Sequence, residues 1–170
     1  AINQLCNLAN IILNVIPIEL EKPTKDFSQE KAMKYDETIA AMQLGFNSVP
    51  KDCDLLILGE MGISNTTAAT AISCALFDGS VKGWTGLGTG VSPQRLKNKI
   101  SIIETGLKLH GKKFNCVYEI LSAFAGREMP CSCGRSCATI RPQVLCPLAP
   151  PGHQLSHRRF MCTATGKWHT

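Results

Sequence analysis

"DLLILGEMGISNTTAAT" occupies residues 54–70 and decides how the rest of the chain is read. Its first half, "DLLILGE", is a short continuous apolar run, the pattern of a strand buried on both faces of a parallel sheet. Its second half opens a small-residue segment that reads as a helix ending near Gly79. The turn between them holds Glu60, Gly62, Ser64, Asn65, Thr66 and Thr67. A helix N-terminus offers unpaired N–H groups and a partial positive charge. Glycine lets a backbone approach a phosphate closely. In open parallel sheets, ligands sit beyond the carboxyl ends of the strands, which is where Glu60 falls. No Gly-Lys-Ser/Thr follows, so this is not a Walker A loop. An ordinary capped turn before a helix is the competing reading.

Working outward, "AINQLCNLANI" has the spacing of a helix and "LNVIPIEL" (13–20) that of a strand, with Pro17 at an edge or late position. "EKPTKDFSQEKAM" is polar and reads as a loop. Ile39, Met42, Gln43 and Phe46 share one face of a helix that Asp36 is placed to cap. A second glycine turn, "GWTGLGTG", leads into Ser92-Pro93, a good N-cap and first position for a helix running to about His110. Lys99 lies two turns into it; a solvated lysine is its plain reading. "CVYEILSAFAG" is another short helical segment. Short apolar strands alternating with helices predict an α/β fold with a mostly parallel sheet.

The bulk numbers agree with a globular chain: 170 residues, 44% hydrophobic and 18% charged. No apolar run reaches the roughly 18–20 residues of a membrane span, and no secretory pattern is visible. No membrane association and a cytoplasmic location are expected. The chain begins at Ala1, so the natural N-terminus is expected upstream. The net charge of +5 is unevenly placed: residues 1–128 hold 13 Lys+Arg and 13 Asp+Glu, whereas residues 129–170 hold five Lys+Arg and no acid. The basicity belongs to the tail and is not a nucleic-acid footprint of the whole.

"DLLILGEMGISNTTAATAI" followed by "GLGTGVSPQRLKNKISIIETGL" closely resembles the nicotinate-nucleotide:dimethylbenzimidazole phosphoribosyltransferases, which assemble the lower ligand of cobalamin. The resemblance covers about residues 1–128. It implies a Rossmann-like three-layer α/β/α core, here incomplete, in a homodimer without metal or organic cofactor. It implies phosphoribose transfer from nicotinate mononucleotide to 5,6-dimethylbenzimidazole, giving α-ribazole 5′-phosphate and nicotinate with inversion. Glu60 would lie at the ribose and base end of the site. Gly62, Ser64, Asn65, Thr66, Gly88 and Thr89 would line the phosphate cradle, and Lys99 would be its cationic partner. Ser64 stands where the family has Gly; at positive φ this costs about 1 kcal/mol, and otherwise it adds a hydroxyl donor. An N-terminal third is expected to be missing. The family's base, a glutamate in a Gly-Glu-Gly segment, has no match, and no acid follows Glu128.

The resemblance stops near "SAFAGRE", where "MPCSCGRSCATIRPQ" takes over. The gain of Cys, Pro, Arg and His with loss of all acids predicts a division into a core at 1–128 and a tail at 129–170. That tail is expected to be out of frame, from a slip near residues 126–131, or disordered, and no element is predicted in it. Two other function classes remain open. One is a nucleotide-binding module without turnover. The other is a zinc-dependent interaction protein using Cys131, Cys133, Cys137 and Cys146 with His153 and His157, although C-x-C-x3-C is a poor match to zinc spacing.

Overall fold

The computed structural model describes residues 2–77, 79–86, 92–111, 114–139 and 160–165. Three strands form one parallel sheet in the order β1-β3-β2: β1 is Ile12–Ile16, β2 is Leu55–Leu58 and β3 is Phe160–Thr165. Ile12 pairs with Met161 and Leu55 with Phe160, and both ladders run parallel. Parallel pairing needs long crossovers, and the helices supply them. They are α1 (Ile2–Leu8), α2 (Tyr35–Asn47), α3 (Asn65–Leu76), α4 (Val81–Trp84), α5 (Pro93–His110), α6 (Val117–Phe124) and α7 (Glu128–Thr139). The fold is α/β with a parallel sheet, as the alternation predicts.

Local chemistry explains most boundaries. β1 stops at Ile16 because Pro17 cannot donate to a ladder. The Ser92 side chain accepts the Arg95 N–H at the start of α5, with Pro93 at the first helical position, and Gly111 ends the helix at φ 76°. The start of α2 differs from expectation. Lys34, not Asp36, is the N-cap residue, and the Lys34 N–H is held by the Glu37 carboxylate at 2.9 Å.

The core sits among helices. Ala71 and Cys74 of α3, Ile103 and Leu107 of α5, and Ile120, Ala123 and Phe124 of α6 form one buried cluster. Phe27, Phe114 and His110 meet the Phe124 ring edge-on at 5.6, 6.1 and 5.3 Å. The polar 21–33 segment is a loop but a fastened one. Ala32 and Met33 donate their N–H groups to Ala123 and Ser122, and the Ser122 hydroxyl returns a bond to Met33 at 2.7 Å. β2 is less covered than its apolar run suggests: Leu55, Ile57 and Leu58 are about 40–46% exposed, because the helices pack chiefly on one another.

Three elements lie where the sequence predicted none: the single turn α4, the helix α7 and the strand β3. α7 runs across the 128/129 point, and β3 is the middle strand of the sheet. α7 is seated by small residues. A Cβ on Gly45 would strike the Cys131 carbonyl, and one on Gly134 would strike that of Met42, so the α2 and α7 backbones touch directly. Hydrophobic periodicity is blind to such a contact, which is why the helix was missed. The contact also buries Arg135, whose Nε donates to the Ser48 hydroxyl at 2.9 Å while one guanidinium nitrogen has no partner. Burial works against its charge.

Among the described residues no helix is long and apolar enough to cross a membrane. Gly45→Ala is expected to lower stability by about 2–3 kcal/mol in urea unfolding, because the obstacle is backbone and cannot rotate away.

Candidate functional site

A cavity of about 480 Å³ opens beyond the carboxyl ends of β1 and β2. One wall is the loop from Ile18 to Phe27, the second is the turn from Met61 to Ala68, and the third is the α6–α7 junction at Gly126–Glu128. This is where a parallel sheet places ligands.

The turn after β2 is tightly organised. Glu60 Oε2 accepts the Gly62 N–H at 2.7 Å and the amide Nδ2 of Asn65. The carboxylate thus folds onto its own turn. Ser64 has φ 65° and ψ 17°, the left-handed region, so the first of its two readings holds: a β-carbon there costs about 1 kcal/mol. It is the N-cap residue of α3 by position, but its side chain makes no capping bond. Lys99 reaches across from α5, and its Nζ donates to the Thr66 hydroxyl at 3.0 Å.

The residues singled out from the sequence divide accordingly. Gly62, Ser64 and Asn65 line the cavity. Glu60 adjoins it through Asn65. Thr66 and Lys99 are bonded to each other outside its lining. Gly88 and Thr89 lie outside the described residues.

Sequence reasoning missed two neighbours. Arg127 is buried, and its guanidinium donates to the Lys22 carbonyl at 2.6 Å and to Glu37 at 3.0 Å, with Glu19 at 3.1 Å. It clamps the Ile18–Phe27 wall to the α6–α7 junction. Glu128 is partly buried against the turn; burial first, then the Glu60 charge, pushes its carboxyl above the usual range, while an Asn65 hydrogen bond pulls the other way. The only signal in the sequence is the adjacent Arg127-Glu128 pair itself.

Cys131, Cys133 and Cys137 do not converge as metal ligands. They lie in α7, where residues two apart point to different sides; Cys131 is buried, and Cys133 and Cys137 are exposed. Among the described residues no group of three His, Cys, Asp or Glu is placed to hold a metal. Cys146, His153 and His157 lie outside them.

With the cavity and turn located, the comparisons are specific. Residues 1–146 match the phosphoribosyltransferase family DBI_PRT. The chain belongs to that family. Three curated nicotinate-nucleotide–dimethylbenzimidazole phosphoribosyltransferases show how close it is to individual members. The Mesorhizobium japonicum protein is 46% identical over 138 residues, 81% of this chain and 41% of its own. The Cereibacter sphaeroides protein is 43% identical over 134 residues, 79% and 40%. The Ruegeria pomeroyi protein is 42% identical over 164 residues, 96% and 46%. The chain therefore spans less than half the length of these relatives. The crystal structure of CobT from Thermus thermophilus shares the fold, with a TM-score of 0.65 at 24% identity over 82% of this chain and 47% of that one. Both the family match and the Ruegeria alignment run past residue 128.

The clamp has a pH signature. The Lys22 ammonium first, then the Lys34 N–H and the Arg127 guanidinium, hold Glu37 down to about 2, below its ordinary 4.5. A carboxyl depressed on folding contributes stability above its unfolded value and loses it as pH falls through the folded one. Unfolding free energy is thus expected to fall from about pH 4.5 towards 2. Glu37→Gln should be about 1 kcal/mol less stable at neutral pH, with a flatter acid limb, in urea titrations across this range.

Proposed function

We propose that this chain forms the phosphoribose-gripping part of an enzyme that moves phosphoribose from nicotinate mononucleotide to 5,6-dimethylbenzimidazole. The products would be α-ribazole 5′-phosphate and nicotinate, in cobalamin lower-ligand synthesis. Family membership and the names of the relatives support the reaction class. The observation that carries the reading is the Lys99–Thr66 bond. It brings a cation from another helix onto the N-terminal turn of α3, where backbone N–H groups already favour an anion. Gly62, Ser64, Asn65 and Thr66, with Gly88 and Thr89, would complete the phosphate site. Glu60 would face the ribose.

In the reaction, the glycosidic bond to nicotinate breaks with its electron pair on the pyridine nitrogen. The acceptor nitrogen bonds the anomeric carbon from the opposite face, and the acceptor N–H proton must leave. Positive charge grows on the ribose ring, which a carboxylate such as Glu60 stabilises. A base must take the proton, and the 42 residues after Glu128 contain no acid. The 170-residue polypeptide alone is expected to turn over weakly or not at all. A homodimer in the cytoplasm, without metal or organic cofactor, completes the proposal.

Calorimetric titration with nicotinate mononucleotide tests it. The unaltered chain should bind, and Lys99→Met should weaken binding by about tenfold or more through loss of a charge-assisted bond. Binding without turnover on adding dimethylbenzimidazole fits the proposal. No binding defeats it, and turnover at the rate of an intact relative defeats the expected impairment.

The division at 128/129 is carried on the same footing, from the loss of acids and gain of cysteine beyond it. Reading the coding DNA across residues 120–140 in all three frames tests it. A neighbouring frame that encodes Leu-Asp-Gly-Phe and, further on, Gly-Glu-Gly establishes a slip. The lack of any such frame makes the tail genuine.

A further inference from the structure

A second cavity, also of about 480 Å³, is lined by the 22–34 segment, Glu37 and Arg127. It shares Lys22, Pro23, Lys25, Ala32 and Arg127 with the first, so this stretch of chain is a wall common to both. Its charge is lopsided. Lys22, Lys25, Lys31, Lys34 and Arg127 contribute cations to the lining. The lining carboxylates are Glu30 and Glu37. Residues 1–128 as a whole hold equal numbers of acidic and basic side chains, so the surplus is local.

The carboxylates are already divided. One oxygen of Glu37 lies 2.6 Å from the Lys22 ammonium and 3.0 Å from the Arg127 guanidinium. Lys25 and Glu30 are 3.7 Å apart. Among the described residues the Lys31 and Lys34 ammonium groups are in no ion pair, and the Glu119 charge reaches Lys31 only at longer range. Arg127 is buried, and its acceptors are the Lys22 carbonyl, Glu37 and, from outside this lining, Glu19. A guanidinium carries more N–H groups than these three acceptors use.

The two unpaired lysines are not loosely placed. Ala32 and Met33 between them are buried, and their N–H groups donate to the Ala123 carbonyl at 3.1 Å and the Ser122 carbonyl at 2.9 Å. The Ser122 hydroxyl donates back to the Met33 carbonyl at 2.7 Å. Lys31 and Lys34 therefore project from fixed points on either side of this fastening and lose less freedom on gripping a ligand. Cations gathered in one concavity repel one another and focus their field on it, and a multiply charged anion relieves both. A phosphoryl group fits the donor set: the guanidinium offers paired N–H groups to its oxygens, and the lysines offer point charges.

We propose that this second cavity binds a compact phosphate-bearing dianion, held by Lys31, Lys34 and the buried Arg127 guanidinium. The site is separate from the Lys99–Thr66 position, neither residue of which lines it. It stands whether or not the chain handles phosphoribose.

The test is calorimetric titration of the full chain with inorganic pyrophosphate, in buffer free of divalent cations. The unaltered chain should bind it. Lys31→Gln/Lys34→Gln should weaken binding by about tenfold or more. Lys51→Gln/Lys108→Gln removes the same charge from exposed lysines that line neither cavity and should leave the affinity unchanged, as should Lys99→Met. Amide chemical-shift maps report that each variant folds. The capping contacts at position 34 are made by its main chain, so they survive the substitution. In the unaltered chain pyrophosphate should shift the amides of residues 31–34 and the Arg127 Nε–H. Three results overturn the proposal: no binding, equal weakening in both double variants, or loss of binding in Lys99→Met with Lys31→Gln/Lys34→Gln intact. Nicotinate mononucleotide is titrated separately. Its failure to bind counts against the phosphoribosyl reading alone, whereas failure of pyrophosphate counts against this site alone.

Discussion

The buried Arg127 guanidinium is the constraint on which the rest of the described structure leans. It sits at the junction of α6 and α7 and holds three groups of the 19–37 segment. Burying a cation costs less the more of its hydrogen bonds are met, so the segment that supplies the Arg127 acceptors is held where it is. Its first part, through Phe27, is one wall of the cavity. The next residue, Glu128, belongs to another wall. One ion-pair network therefore sets the width of the cleft and the place of its second carboxyl.

The other organising contact is steric. α2 and α7 meet backbone to backbone at Gly45 and Gly134, and that crossing carries Arg127 and Glu128 to the head of α7. A residue with a side chain at either position would lift α7 away and loosen the clamp. The crossing also strands part of Arg135 without a partner, so this face is built by close approach rather than by polar complementarity.

The site itself combines two devices. The turn after β2 uses a strained Ser64 to swing α3 into place and a Gly62 N–H to fasten Glu60. The α5 helix then delivers Lys99 to Thr66 from 33 residues away.

What the sequence determined by itself was local and repetitive. The apolar run before Glu60 and the Ser92-Pro93 start of α5 each depend on near neighbours, so they were legible, as was the turn with its family resemblance; the first strand was legible too, but read through Pro17 to residue 20 where it ends at Ile16. What only the tertiary structure decided depends on residues far apart. The α7 helix has no apolar period to announce it, because its partner is a backbone met through glycine. β3 takes its place in the sheet by pairing with β1 and β2 on either side. Arg127 and Glu128 read in sequence as an ordinary charged pair. Their burial beside Lys22, Glu37 and Asn65 gives them work, because a charge removed from water is governed by the few groups it still touches.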